Sequence, residues 1–208
     1  MTTRQRSKPG QRWFAARLFA AALLSLPFTA PSGANAISGT VAATLHSPTD
    51  EDAGLDAQAV RRELDNFRAA QISLARAMAI AEGLHTGSTT ADVSFDGAAA
   101  PPVYRIKTVQ HDRIWRNAID AATGAVLDSE AASPLATLDA EDRSNLVVLK
   151  ALRHRLSDAV RVAEHTTSGK AISGGLTRER GKLSFVIVVL SGADLKQVVL
   201  EPPGARGR

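Results

Sequence analysis

The chain has 208 residues, no cysteine, 25 lysines and arginines against 21 acids, and an isoelectric point near 9.8. Without cysteine there is no disulfide framework, thiol nucleophile or lipid-modified cysteine anchor, so the fold must rest on a hydrophobic core. The basic balance belongs to the N-terminus: five cations precede the first acid, Asp50, and beyond them 20 cations face 21 acids. Such a balance gives no support for a nucleic-acid partner.

Arg4, Arg6, Lys8, Arg12 and Arg17 lead into the apolar run Leu18–Leu26, which Pro27 breaks. A membrane span needs about 20 apolar residues, so this run is too short for one. Ala34 and Ala36 fit the small-x-small cleavage pattern. Residues 1–36 are therefore expected to be a signal peptide cut between Ala36 and Ile37, leaving no stable membrane anchor and a periplasmic or secreted product. The leader has no adjacent arginine pair, which argues against a twin-arginine signal. Residues 37–54 are expected to form a flexible mature N-terminus.

Beyond residue 54 the chain repeats itself at a spacing of about 82. Leu74, Ala77, Met78, Ala81 and Glu82 fall on Leu156, Ala159, Val160, Ala163 and Glu164, and Gly87 falls on Gly169. Leu64, Phe67 and Ala70 fall on Leu146, Leu149 and Leu152, and "LDA" occurs at 55–57 and 138–140. A fixed-period repeat decides architecture. Residues 55–128 and 141–208 are read as two units, with a linker over 129–140. Each unit opens with a helix, Ala57–Ala70 or Glu141–Leu152. A second helix follows, with Leu74, Ala77, Met78 and Ala81 on one stripe at i, i+3, i+4, i+7. Ser73 suits its N-cap, and Gly83 or Gly87 its end.

The period then switches to two. Strands are expected at 93–95, 101–109 and 113–120, and again at 171–179, 182–190 and 194–201. The turns between them are short, which implies antiparallel pairing. The fold class is α+β: two repeated units, each a helix packed on an antiparallel sheet of three or four strands.

The stretches "ISLARAMAIAEG" (72–83), "VYRIKTV" (103–109) and "IDAATGAVL" (119–127), with a turn at Asp120, Thr123 and Gly124, resemble the PepSY domain family. Two copies would cover about 72–128 and 155–204. The second departs at its end, where "LEPPGAR" (200–206) replaces the Thr-Gly turn and leaves no room for a final strand. The resemblance implies an extracytoplasmic, non-enzymatic module of the kind found in propeptides of secreted metallopeptidases and proposed to restrain peptidases. It carries over no catalytic residue.

The residues themselves offer little chemistry. His46, His85, His111, His154 and His165 lack zinc-ligand spacing, even with Asp112 beside His111. "SGK" (168–170) and "RGK" (180–182) lack the first glycine and the final Ser/Thr of a phosphate loop. There is no Gly-x-Ser-x-Gly elbow. The reading is a non-enzyme with no cofactor and no metal. Residues 37–130 carry 8 cations and 13 acids and residues 131–208 carry 12 and 8, so the halves differ in sign.

Strand 182–190 is apolar on both faces: Leu183, Phe185, Ile187 and Val189 on one, Val186, Val188 and Leu190 on the other. One helix layer covers one face, so Val186, Val188 and Leu190, extended by Val198 and Leu200, form a candidate interaction face. Trp115, opposite Ile114 in the alternation, is a further candidate anchor. The face is expected to meet the first unit, a second copy, or a partner protein such as an envelope peptidase. The function so read is protein interaction, with small-ligand or metal sensing in the envelope as the alternative.

Overall fold

The computed structural model describes residues 50–202 apart from 139, 153, 180 and 181. The expected signal peptide, its cleavage pair Ala36/Ile37 and residues 37–49 lie outside that range. The element order is α1 (Asp50–Ala69), α2 (Leu74–Leu84), β1 (Thr89–Asp96), β2 (Val103–Gln110), β3 (Arg113–Asp120), β4 (Val126–Pro134), a short 3₁₀ turn (Leu135–Thr137), α3 (Ala140–Ala151), α4 (Leu156–Thr167), β5 (Lys170–Glu179), β6 (Lys182–Ser191) and β7 (Asp194–Leu200). The helix–helix–strand order thus occurs twice. The fold is α+β, with helices packed on an antiparallel sheet.

Sequence reading and structure differ in the strand pairing, in the linker and at the N-terminal side, where residues 50–54 of the segment expected to be flexible belong to α1. First, the strands do not form two sheets. They form one seven-stranded sheet of order β4-β3-β2-β1-β5-β6-β7, in which Asp92–Ser94 of β1 pair with Ser173–Gly175 of β5. The alternation marks strands but says nothing about which edges meet. Second, residues 129–134 of the expected linker belong to β4, which pairs with β3 through two irregularities. The small and polar run "SEAASP" reads as a linker because an edge strand needs little apolar surface.

α2 and α4 bury the stripes that their periodicity marks: Leu74, Ala77, Met78 and Ala81 in one, Leu156, Ala159, Val160 and Ala163 in the other. The Ser73 side chain accepts a bond from Arg76 N at 3.2 Å and caps α2. At the entry to α4 the Asp158 carboxylate accepts from Arg155 N at 3.1 Å. α4 ends on Ser168 in the left-handed region at φ 52°, with Gly169 N donating to Glu164 O.

Opposite residues in a ladder share a face, so the pairing identifies the covered side. A Cβ on Gly174 would meet Leu156 and Val160 of α4, which places Gly174, Ile187 and Val93 under the helices. Phe95, Tyr104, Ile106, Ile119, Leu176 and Phe185 share this buried face. α1 joins it through an edge-to-face contact between Phe67 and Phe95, ring centroids 5.2 Å apart, and a 2.8 Å bond from Asn66 Nδ2 to Gly97 O. Beside them Glu63 is only 6% exposed, and burial raises its carboxyl above the usual range. α3 reaches the same side through Arg178 Nε, which donates to Asn145 Oδ1 at 2.8 Å.

The two helix–strand joints use the same device. Glu82 Oε1 accepts from Thr90 N at 2.8 Å, and Glu164 Oε1 accepts from Ala171 N at 2.9 Å. Each carboxylate satisfies a strand amide in a buried region where water is scarce. Replacing either glutamate by alanine leaves that amide without its partner and is expected to cost about 1–3 kcal/mol. Urea denaturation of Glu82→Ala and Glu164→Ala checks this, and the two losses should be of similar size.

Candidate functional site

All four helices pack on one face of the sheet, and among the described residues the other face carries none. Its two halves differ chemically. On the β1–β4 half, one row runs across four strands: Asp92 opposite Lys107, Lys107 opposite Arg116, Arg116 opposite Glu130. Two like charges face each other at its centre, an arrangement that is unfavourable alone. The outer acids compensate: Lys107 Nζ lies 3.4 Å from Asp92 Oδ2, and Arg116 Nη1 lies 3.1 Å from Glu130 Oε2. One strand position away Arg105 Nε donates to Asp96 Oδ2 at 2.6 Å. Burial raises the Asp92 carboxyl, against the opposing pull of Lys107. Asp92, Arg105, Lys107, Arg116 and Glu130, together with Ser94 and Asp128, line a hollow of about 300 Å³.

On the β5–β7 half the same face is apolar. Val186, Val188 and Leu190 lie on it, opposite Val199, Gln197 and Leu195. Val188 and Leu190 are 7% exposed and Val199 is 54% exposed.

The structure divides the six residues that the sequence grouped. Val186, Val188 and Leu190 do share the helix-free face. Val198 does not: it pairs with Ile187, on the helix side, and packs against the core, as Leu200 does. Trp115 also lies on the helix side, stacked on His85 with ring centroids 3.6 Å apart and planes 21° apart. Ile114 and Trp115 point to opposite faces as expected, but it is Ile114 that points away from the helices. The alternation separates the two faces without saying which one the helices take.

The other histidines do not converge. His111 sits exposed in the β2–β3 turn at φ 50°, and His154 and His165 are exposed. His46 lies outside the described residues. Among the described residues no group of three His, Cys, Asp or Glu could hold a metal ion, and no helix is long and apolar enough to cross a membrane. The acid–base row escaped the sequence reading. Its one legible trace was Arg105 and Lys107 alternating with apolar residues on 103–109; the partners come from three other strands.

The turn at Asp120, Thr123 and Gly124 docks the helices. Asp120 Oδ1 accepts from Ala122 N at 2.8 Å and Thr123 N at 2.7 Å. Gly124 takes φ 77° and donates to Asp120 O. The turn holds Ala121 O where it accepts from Gln71 N and Ile72 N, between α1 and α2. Tyr104 Oη donates to Ile72 O at 2.8 Å, and burial pushes the phenol up to about 12.

Residues 71–130, from the entry of α2 into β4, match a family model: PepSY, "Peptidase propeptide and YPEB domain". The match covers the first run of helix and strands and includes the Asp120 turn. A crystal structure of a "putative lipoprotein" from Clostridium difficile 630 aligns with a TM-score of 0.39 and 16% identity, over 65% of this chain and 90% of that one. Curated proteins gave no match.

Gly124→Ala forces a side chain into the left-handed region and toward Ile80 Cδ1, 3.2 Å away, and is expected to cost about 1–2 kcal/mol in urea denaturation. Backbone N–H groups, that of Thr123 first, hold the Asp120 carboxyl below the usual carboxylate range. Its stabilisation is complete above the unfolded value of about 3.9 and disappears as pH falls through the lower folded value. The stability gap between the parent and Asp120→Asn is therefore expected to be constant at neutral pH and to close in acid. A gap that persists below the folded value would exclude a charge effect.

Proposed function

We propose that the protein is an exported, non-catalytic interaction module that restrains or regulates an envelope peptidase through the helix-free face of its sheet. One observation carries this reading: a broad sheet face with an apolar half and a charged half, and no helix over either among the described residues. The two halves suit the two requirements of a protein contact. On the apolar half the exposed Val199 and half-buried Val186 offer area to bury, and the row from Asp92 to Glu130 offers charges that fix register and exclude wrong partners. The description of the matched family model, which names peptidase propeptides, supports a peptidase as the class of partner. The leader supports export. Restraint of this kind needs no reacting group, only a surface that holds a cleft shut.

The test combines capture with activity. The protein is used as bait in envelope extract, and any captured peptidase is purified and assayed with and without it. The parent is expected to bind the peptidase and lower its activity. Val186→Glu, on the helix-free face, is expected to weaken both by about tenfold or more, the equivalent of about 1.4 kcal/mol. Arg161→Glu, exposed on α4, should change neither. Circular dichroism establishes that both variants fold. A folded Val186→Glu that still binds and inhibits like the parent would sink the face as the contact site.

A further inference from the structure

The sheet has two outer strands, and they are built differently. β4 pairs with β3 through two register irregularities, carries Asp128 and Glu130, and ends on Pro134. Bulges, charges and proline are the usual means by which an edge strand resists pairing with another chain. β7 has few of them. It runs from Asp194 to Leu200 against β6 without a register shift, and it contains no proline. In the order of elements β7 takes the place that β3 takes in the first run, where β4 covers the outer edge. Among the described residues no strand covers β7. A regular seven-residue strand whose outer row of backbone donors and acceptors no described strand covers is a template for another strand.

We infer that this edge pairs with β7 of a second copy, antiparallel, about a two-fold axis at Gln197. The register follows from the side chains. Centred on Gln197, Leu195 of one copy stands opposite Val199 of the other on the helix-free face, and Lys196 stands opposite Val198 on the helix side. The half-exposed Val199 gains an apolar neighbour, and no like charges meet. Centring the pair on Lys196 would oppose two lysines, and centring it on Val198 would oppose Leu195 to Glu201; both are unfavourable. In the Gln197 register the apolar strip of Val186, Val188, Leu190, Leu195 and Val199 continues across the axis into the second copy. The dimer is isologous, as a closed two-fold pair must be. This inference is independent of the peptidase reading: a dimer can form whether or not a peptidase binds.

The test is sedimentation velocity over a concentration series, on protein expressed from its full coding sequence and purified after export. A monomer–dimer equilibrium is expected, and Val199→Lys should raise its dissociation constant by about tenfold or more, because the new charge faces Leu195. Val199 is exposed, so the thermal midpoint of the dilute monomer should not move. The register is tested in the cysteine-free background. Directly opposite residues in an antiparallel pair have Cα atoms within disulfide reach. Gln197→Cys should therefore cross-link two copies on mild oxidation, whereas Lys196→Cys should not. Three results would each overturn the inference. One is a monomer at every concentration. Another is a dimer that Val199→Lys leaves intact. The third is equal cross-linking at both cysteine positions.

Discussion

The seam between β1 and β5 is the contact on which the rest of the molecule depends. Only three residue pairs make it, Asp92–Gly175, Val93–Gly174 and Ser94–Ser173. Two adjacent glycines let it close, each for a different face. Above the sheet, Gly174 lies under α4, where a Cβ would come within 3.4 Å of Leu156 Cδ1 and 3.6 Å of Val160 Cγ2. Below it, a Cβ on Gly175 would come within 2.9 Å of Asp92 Oδ1. The short side of the seam thus admits a helix on one face and an ion-paired carboxylate on the other. Once it closes, the helices share one layer, where Arg155 at the entry of α4 lies 3.7 Å from Glu82 of α2. The opposite face becomes a single surface shared by both halves of the chain.

That surface explains why the two halves differ so much in sequence. In the first half the middle of the face turned away from the helices carries one compensated row, acid–base–base–acid, with Val103, Val109 and Ile114 toward the ends of the face. In the second half the same face carries valine and leucine. A charged row tolerates water, whereas an apolar strip of this length at a sheet's end is a liability unless something meets it. The contrast makes the apolar half the energetic part of any contact and the charged half the part that selects the partner. Within the charged half, Lys107, Arg116 and Arg105 each lie against an acid, so these pairs carry no excess of either sign.

Much of this was legible in the sequence because helices and strands declare themselves by period. The buried stripes at 74, 77, 78, 81 and at 156, 159, 160, 163 follow directly from i, i+3, i+4, i+7 spacing. The strands follow from alternation, and the Asp120 turn from its Asp, Thr and Gly. The join of two sheets into one was not legible, since it depends on three pairs formed by Ser-Gly-Gly at 173–175, a run with little side-chain signal. Nor was the facing of β3. Ile114 is apolar and 1% exposed yet points away from the helices, and Trp115 took the helix side by stacking on His85. The strand β4 was hidden because an edge strand need not be apolar. Val186, Val188 and Leu190 therefore share one face, as the alternation marks, whereas Val198, Leu200 and Trp115 lie on the other.

The most direct test of this account is a disulfide across the seam. Ser94 and Ser173 stand directly opposite on the helix-free face, and the chain has no other cysteine to interfere. Opposite positions of an antiparallel pair lie within the Cα separation that a disulfide spans. The Ser94→Cys/Ser173→Cys variant, oxidised mildly at low concentration and examined by non-reducing electrophoresis and mass spectrometry, is expected to form an intrachain bond in nearly every molecule while keeping the parent's circular dichroism. Two free thiols in a folded chain, or cross-links only between chains, would mean that the halves carry separate sheets, and the continuous face would not exist.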